Sequence, residues 1–139
     1  MKRLLSLIVI LAVLCSAITL TVSAASGSSG ITPYYNNVYR ADQYFSIDEN
    51  GNVHIGVSYS SDPGVVTSAT VEVRLLKRTL LVIWTEVETW SDSSTSSIYS
   101  NVFTTTLNKT GTYKVEITYT IYGTGGEADV ITEEIKQTY

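Results

Sequence analysis

The chain is poor in the residue types on which much protein chemistry depends. Its 139 residues include one cysteine, Cys15, one histidine, His54, and two prolines. Cys15 lies near the N-terminus, so a chain that loses this segment has no thiol, no disulfide and no cysteine metal site. One histidine without cysteine cannot close a structural zinc site. We therefore predict neither a metal site nor a cofactor.

Long apolar runs are confined to the N-terminus. The basic start MKR is followed by an almost wholly apolar stretch over 4–20 and by small residues at 22–24. This order is typical of a secretory signal peptide. We predict a signal-peptide helix over 1–24, cleavage before Ala25, and a secreted, extracellular protein. Retention of the leader as a membrane anchor stays open, although a spanning helix needs roughly 20 apolar residues.

Positive charge is also scarce. Removal of Lys2 and Arg3 with the leader leaves seven of nine basic residues against thirteen acidic ones, so the net charge falls from −4 to −6. An acidic chain without a basic cluster argues against nucleic acid and anionic membranes as partners. We therefore expect no nucleic acid partner, and no membrane contact after signal cleavage.

The remainder is dominated by short alternating runs that are typical of strands. We predict a flexible or irregular N-terminal segment over 25–41 and a β-sandwich domain over 42–139. The clearest runs, 53–59 and 113–121, place apolar residues at every second position, and the first follows an Asn50-Gly51 turn signal. No segment has a helical period. About seven strands with close turns predict an all-β, antiparallel sandwich.

One long run, LLVIWTEVETW over 80–90, is also typical of a strand, but its pattern is irregular. Trp84, Val87 and Trp90 are spaced by three residues, which breaks strict alternation. A β-bulge near Thr85 would reconcile this spacing with a strand. Alternatively, both tryptophans lie on the outer face.

The stretch LNKTGTYKV carries a structural motif. It begins at Leu107, turns at Gly111 and places Tyr113 at the mouth of a strand. It resembles the tyrosine corner of immunoglobulin-like sandwiches, where the tyrosine hydroxyl bonds backbone a few residues upstream. The resemblance implies an immunoglobulin-like sandwich in which these three residues have structural roles. An ordinary strand tyrosine is the alternative interpretation.

The same resemblance implies a particular core. Val115 stands where antibody domains carry their second cysteine. Val71 or Val73 would then face it in place of the first cysteine, and Trp84 would be the core tryptophan. An apolar pair would thereby replace the disulfide.

The order of features along the chain is similar to that of a wider group. A signal peptide and an Asn-Gly hairpin are followed by ATVEVRLLKR, a Trp-x-x-Val-x-x-Trp-Ser pattern, Gly-Thr-Tyr-Lys-Val, a Gly-Gly-Glu loop and a last strand. This order resembles small secreted proteins of Gram-positive bacteria whose function is undescribed. The likeness covers most of 42–139. It implies location and fold, and it carries over no catalytic residue.

Few residues have the spacing of a catalytic site. Glu86 and Glu88 are two apart on one strand, which predicts a separation of about 7 Å on one face, within the range that glycosidases use. A small secreted glycan hydrolase is therefore an alternative function. His54 alternates with apolar neighbours, which predicts an exposed strand residue. A weak calcium site involving Glu127 and Asp129 also stays open. Our leading prediction is that the protein is not an enzyme.

Aromatic residues are the remaining candidates for function. Exposed tyrosine and tryptophan are frequent contact residues for protein and carbohydrate partners, and we select Trp84, Trp90 and Tyr122. The leading hypothesis is a secreted, non-catalytic module that binds an unknown extracellular protein, glycan or envelope component. A secreted antagonistic effector is a further alternative, and the oligomeric state stays open. Six tyrosines have no evident core role: Tyr34, Tyr35, Tyr39, Tyr99, Tyr122 and Tyr139.

Overall fold

The computed structural model describes residues 35–139, and the predictions made for the signal-peptide helix, its cleavage site and Tyr34 lie outside this range. Within it, no helix has the length and hydropathy that a bilayer crossing requires. Seven strands follow one another in the chain: β1 (Arg40–Ile47), β2 (Asn52–Ser60), β3 (Val66–Arg78), β4 (Trp84–Ser94), β5 (Ile98–Thr106), β6 (Thr112–Gly123) and β7 (Asp129–Thr138).

The strands pair into two antiparallel sheets, which confirms the all-β, two-sheet architecture. The first sheet has the order β1-β2-β5 and the second the order β4-β3-β6-β7. Alternation predicted the buried faces, because side chains of successive strand residues point to opposite sides. The core includes four residues of β2 and five of β6: Val53, Ile55, Val57, Tyr59, Tyr113, Val115, Ile117, Tyr119 and Ile121.

The β1–β2 connection follows from its turn residues. Gly51 has φ +80°, a conformation that side-chain-bearing residues avoid. Its N–H donates to the carbonyl of Asp48 at 3.0 Å. The Asp48 carboxylate accepts backbone N–H bonds from Asn50 and Asn52, both at 2.8 Å. The turn sequence therefore satisfies its own polar groups.

A β-bulge interrupts the pairing of β3 with β4. Leu75 pairs with Glu88 and Leu76 pairs with Glu86, so Val87 is the extra residue. This is two residues from Thr85, where the spacing of the tryptophans suggested it. The bulge changes which face each half of β4 presents.

The predicted core pairing of the immunoglobulin comparison is wrong. β3 and β6 are neighbours in one sheet, with Val73 opposite Ile117 and Leu75 opposite Val115. Val71 and Val73 therefore lie beside Val115 in the same layer and do not face it across the core. A partner from the other sheet has to come from β1, β2 or β5. The error arose because the β1–β2 hairpin already occupies the first two strand positions of the sandwich.

Backbone bonds gather the loops at two opposite ends. We call one the hairpin end: it holds the β1–β2 turn, the β3–β4 connection and the β5–β6 turn, with Leu107 bonded to Gly51 and Gly111 to Tyr139. The other, the closed end, holds 35–39, 61–65, 95–97 and 124–128. Among the described residues, the buried members of the core cluster run from Val38 to Ile131, and Tyr35 and Tyr139 pack against them. The described segment therefore contains a hydrophobic core to which both sheets contribute.

Candidate functional site

The three aromatic residues selected from the sequence do not form one site. Trp84 lies on the outer face of the four-stranded sheet, with the Lys114 ammonium 4.9 Å and the Lys136 ammonium 5.9 Å from its ring centre. It is therefore not the core tryptophan of the immunoglobulin comparison. The bulge at Val87 is the reason. Trp84 lies before the bulge and faces outward, whereas Trp90 lies after it and faces the core.

Trp90 lies on the inner face of the same strand. It pairs with the buried Val73, packs against the core, and stacks on Phe103 with ring centres 5.8 Å apart. Since β4 and β5 are edge strands of different sheets, this pair closes one side of the sandwich. Trp90 therefore has a packing role, and its ring is half-buried.

Tyr122 is exposed but remote from Trp84. It follows Thr112 by ten residues along β6, and Thr112 bonds the guanidinium of Arg78, the strand partner of Trp84. At a rise of about 3.3 Å per residue the two aromatic residues are roughly 33 Å apart. They share a sheet face, but no small ligand touches both.

The carboxylate pair proposed for a hydrolase is also separated, contrary to the sequence-based expectation. Cross-strand partners point to the same side of a sheet, and Glu86 pairs with Leu76 whereas Glu88 pairs with the core residue Leu75. The bulge thus turns the two glutamates to opposite faces. Glu86 instead accepts a bond from Arg74 at 3.2 Å on the outer face. This geometry leaves no paired-carboxylate site at these residues.

The corner residues lie where the motif placed them. The Tyr113 ring is buried, and its hydroxyl donates to the backbone carbonyl of Lys109, four residues upstream. Leu107 is buried beside it. Gly111 has φ +147°, and a Cβ there would come within 3.0 Å of the Lys77 side chain. These contacts fix the β5–β6 turn against the end of the core.

A buried carboxylate organises the closed end. Asp129 accepts backbone N–H bonds from Asn36 and Asn37, both at 2.7 Å, and from Val38 at 3.1 Å. These bonds use both carboxylate oxygens, so Asp129 serves to hold 35–38 against β7. No group of three acidic, histidine or cysteine side chains in the described part of the chain is placed to hold a metal ion.

Asn37 extends this polar network. Its side-chain amide donates to the carbonyls of Ile121 and Glu127 and accepts a bond from the N–H of Gly125. Its own carbonyl accepts the hydroxyl of Ser61. Asn37 is buried, yet its side chain bonds through both the amide nitrogen and the oxygen, as a stable interior requires.

A third polar cluster seals the space between β4 and β5 near the closed end. The Tyr99 hydroxyl donates to Asp92 at 2.7 Å, and the Asn101 amide donates to the same oxygen at 2.9 Å. Burial, followed by the bond to Asp92, raises the pKa of Tyr99 to about 12. The bond from Tyr99, followed by one from the Ser93 N–H, lowers the pKa of Asp92.

The most unusual surface lies at the tip of the β3–β4 hairpin. The N–H of Thr79 donates to the carbonyl of Ile83 at 2.9 Å and closes the loop. Four consecutive aliphatic side chains follow Thr79, and we call them the apolar tip. Their exposed fractions are 64, 91, 83 and 49 % for Leu80, Leu81, Val82 and Ile83. Contiguous apolar exposure of this kind marks interaction sites more often than single exposed residues do.

Cations without carboxylate partners surround the base of this hairpin. Arg74, Lys114 and Lys136 pair with glutamates on the outer sheet face. Across residues 35–139, by contrast, no ion pair involves Lys77, Arg78 or Lys109. Lys77 lies 5.3 Å above the Tyr113 ring. Arg78 donates to the Thr112 hydroxyl.

A shallow cavity of about 250 Å³ lies beside the base of the hairpin. Its apolar lining comes from Val87, Leu107 and Tyr113, and two of the unpaired cations, Lys77 and Lys109, also border it. Val87, displaced by the bulge, is 45 % exposed. The hairpin end thus combines an apolar projection, an apolar recess and local positive charge.

Sequence reasoning assigned 80–90 to a strand and missed the tip. Leu80 to Ile83 are all apolar, and Val82 and Ile83 are β-branched residues with strand propensity. The four include none of the polar turn residues that normally signal a loop. The signal that was present is the Lys77-Arg78 pair, which is separated from the apolar run by Thr79 alone. It places positive charge next to residues that would otherwise be expected in a core.

Comparisons with known proteins add little to this geometry. No protein-family model matches the chain, and no curated protein matches it. A solved structure, the solution structure of AT1g01470 from Arabidopsis thaliana, is similar, with a TM-score of 0.45 and 11 % identity over 74 % of this chain and 78 % of that one. At this level the likeness assigns neither a fold family nor a function.

Proposed function

We propose that this chain is a secreted, non-catalytic, immunoglobulin-like module that binds an extracellular protein, glycan or envelope component through its hairpin end. The proposal places it with small secreted proteins of Gram-positive bacteria, following the order of its sequence features. The strand order β1-β2-β5 and β4-β3-β6-β7 and the corner at Tyr113 support the immunoglobulin-like assignment.

The observation that carries the binding function is the exposure of the apolar tip. Burying an aliphatic side chain of this size is worth about 1.5–3 kcal/mol. Leaving Leu80 to Ile83 in water therefore forgoes several kcal/mol that folding does not recover. A contact surface that covers the tip would recover it.

The proposal of a non-catalytic role is supported by the separation of the candidate groups. Glu86 and Glu88 occupy opposite faces. His54 lies on the outer face of the three-stranded sheet, between its strand partners Ser46 and Thr104. An open sheet face offers no enclosed pocket in which a base could act on a bound substrate.

Co-sedimentation with a Gram-positive envelope fraction tests the proposed function. The predicted mature chain, 25–139, is compared with the double variant Leu81→Ser/Val82→Ser, and Tyr122→Ala serves as a variant of the aromatic residue first selected. We expect the mature chain and Tyr122→Ala to sediment with the envelope and the double variant to stay in solution. A mature chain that remains soluble, or a double variant that sediments equally, contradicts the proposal.

A further inference from the structure

We propose that the partner of the hairpin end is an anionic lipid surface, with the apolar tip inserted among the acyl chains and its flanking cations among the headgroups. This inference rests on the proposed function, because it names the component that the same end binds.

The shape of the tip is the first argument. Leu81 and Val82 are 91 and 83 % exposed at the turn of a hairpin, so they project from the molecule and do not form a flat or concave patch. A fluid bilayer accepts a projecting apolar turn without a preformed pocket, as it accepts the apolar face of an interfacial helix. The closing bond from Thr79 to Ile83 pairs one backbone N–H and one carbonyl at the base of the turn.

The order of residue types outward from the sandwich is the second argument. Lys77 and Arg78 come first, the aliphatic tip follows, and Trp84 returns the chain to the sheet. Basic and indole side chains favour the headgroup layer, whereas aliphatic ones favour the hydrocarbon. The hairpin therefore presents its residues in the order in which a bilayer changes with depth.

The local charge is the third argument, and it differs from the expectation based on overall charge. Glu86, Glu116 and Glu134 are paired with Arg74, Lys114 and Lys136. Lys77, Arg78 and Lys109 keep their charge available beside the tip. Charges separated by more than about 8–10 Å are largely screened at physiological ionic strength, so this end is influenced mainly by the cations at its base and by Glu86 and Glu88 on the adjoining part of β4, of which Glu86 is paired with Arg74.

Acidic residues also lie at the hairpin end, on the other sheet. Asp48 and Glu49 are in the β1–β2 turn. The Asp48 carboxylate is held within its own turn by Asn50 and Asn52, and these bonds lower its pKa, so it stays ionised. The hairpin, which belongs to the four-stranded sheet, is therefore expected to approach the lipid first, with the β1–β2 turn tilted away.

The test is co-sedimentation of the mature chain, 25–139, with protein-free vesicles. The leader is left off because an apolar segment would bind bilayers by itself. Vesicles of phosphatidylcholine alone are compared with vesicles containing phosphatidylglycerol. We expect binding to the anionic vesicles, weakening with salt, and at least about tenfold weaker partitioning for Leu81→Ser/Val82→Ser. Lys77→Glu and Lys109→Glu each change the charge by two and should each weaken it roughly thirtyfold.

Matched controls come from the closed end. Ile98 and Val130 are 69 and 64 % exposed, so Ile98→Ser/Val130→Ser makes the same chemical change away from the tip. Arg40→Glu is a charge reversal at the closed end, where Arg40, unlike Lys77 and Lys109, pairs with a carboxylate, that of Asp42. We expect both to bind vesicles like the parent chain. Equal free energies of unfolding in urea establish that each variant is folded.

Other outcomes separate this inference from the proposed function. Equal binding to neutral vesicles, or binding that the tip variant retains, overturns the lipid assignment. Failure to bind vesicles, together with tip-dependent sedimentation with envelopes, overturns it while the proposed function stands, and points to a protein or glycan. A dimer that the tip variant abolishes would instead identify a second copy as the partner. Failure in both assays overturns both proposals.

Discussion

At the closed end of the sandwich a buried carboxylate accepts three backbone hydrogen bonds, whereas at the hairpin end four aliphatic side chains stand in water. Folding explains the first arrangement, because a buried charge is tolerated only when its oxygens are bonded. Folding does not explain the second. The comparison suggests that one end was shaped by stability and the other by contact with something outside the molecule.

The largest expected effect is at the closed end. Asp129→Ala leaves the N–H groups of Asn36, Asn37 and Val38 without their acceptor, and we expect a loss of about 3 kcal/mol in the free energy of unfolding. Urea denaturation measures it. Asp62→Ala, an exposed acidic residue at the same end, is the control and should change stability by less than about 0.5 kcal/mol. Equal effects for the two variants would contradict the structural role of Asp129.

A smaller effect is expected at Tyr113. Its buried ring lies at the hairpin end, between the core and the exposed apolar tip. Tyr113→Phe removes only the bond to the Lys109 carbonyl and keeps the buried ring. We expect a loss of about 1 kcal/mol in the free energy of unfolding, measured by urea denaturation. Tyr122→Phe, at an exposed position, should have no measurable effect on stability. A Tyr113→Phe variant that is as stable as the parent chain would contradict the structural role of the corner.

At alkaline pH the cluster of Tyr99 with Asp92 and Asn101 is expected to contribute less to stability. The pKa of Tyr99 rises from 10.0 to about 12 in the folded state, so the folded chain retains a proton that the unfolded chain loses. Its contribution to stability is complete below pH 10 and is lost as the pH rises towards 12. Urea unfolding as a function of pH measures this decline. Tyr99→Phe should show a shallower decline, and an unchanged slope would contradict the assignment.

The smallest effect on stability is expected at the tip. Leu81→Ser/Val82→Ser should change the free energy of unfolding by less than about 0.5 kcal/mol, because these side chains make few contacts in the folded state. Urea denaturation of the double variant and of the parent chain measures this change in stability. A loss of 2 kcal/mol or more would mean that the tip belongs to the folded core, and the contrast between the two ends would no longer hold.

Much of the fold was predictable because local sequence patterns determine it. The alternation in β2 and β6 identified their buried faces, and Asn50-Gly51 identified a hairpin. The tryptophan spacing identified an irregularity that proved to be a bulge at Val87. Each of these signals lies within a few residues of the structure that it predicts.

The candidate site was not predictable in the same way. Asp129 acts on residues more than ninety positions away, so no local pattern reveals its role. The faces of Trp84, Glu86 and Glu88 depend on one extra residue in a strand, and a shift of one position reverses every side chain beyond it. The apolar tip has the composition of a buried strand. It is exposed because the pairing of β3 with β4 ends at Arg78 and Trp84, which leaves the residues between them outside the sheet.

Hydrogen–deuterium exchange of the mature chain, with and without envelope membranes, tests the central claim most directly. The account predicts slower exchange at 79–83 and at the neighbouring turn over 106–109 when membranes are present, with 35–39 unchanged. Protection at 35–39 or around Tyr122, with 79–83 unchanged, would contradict it.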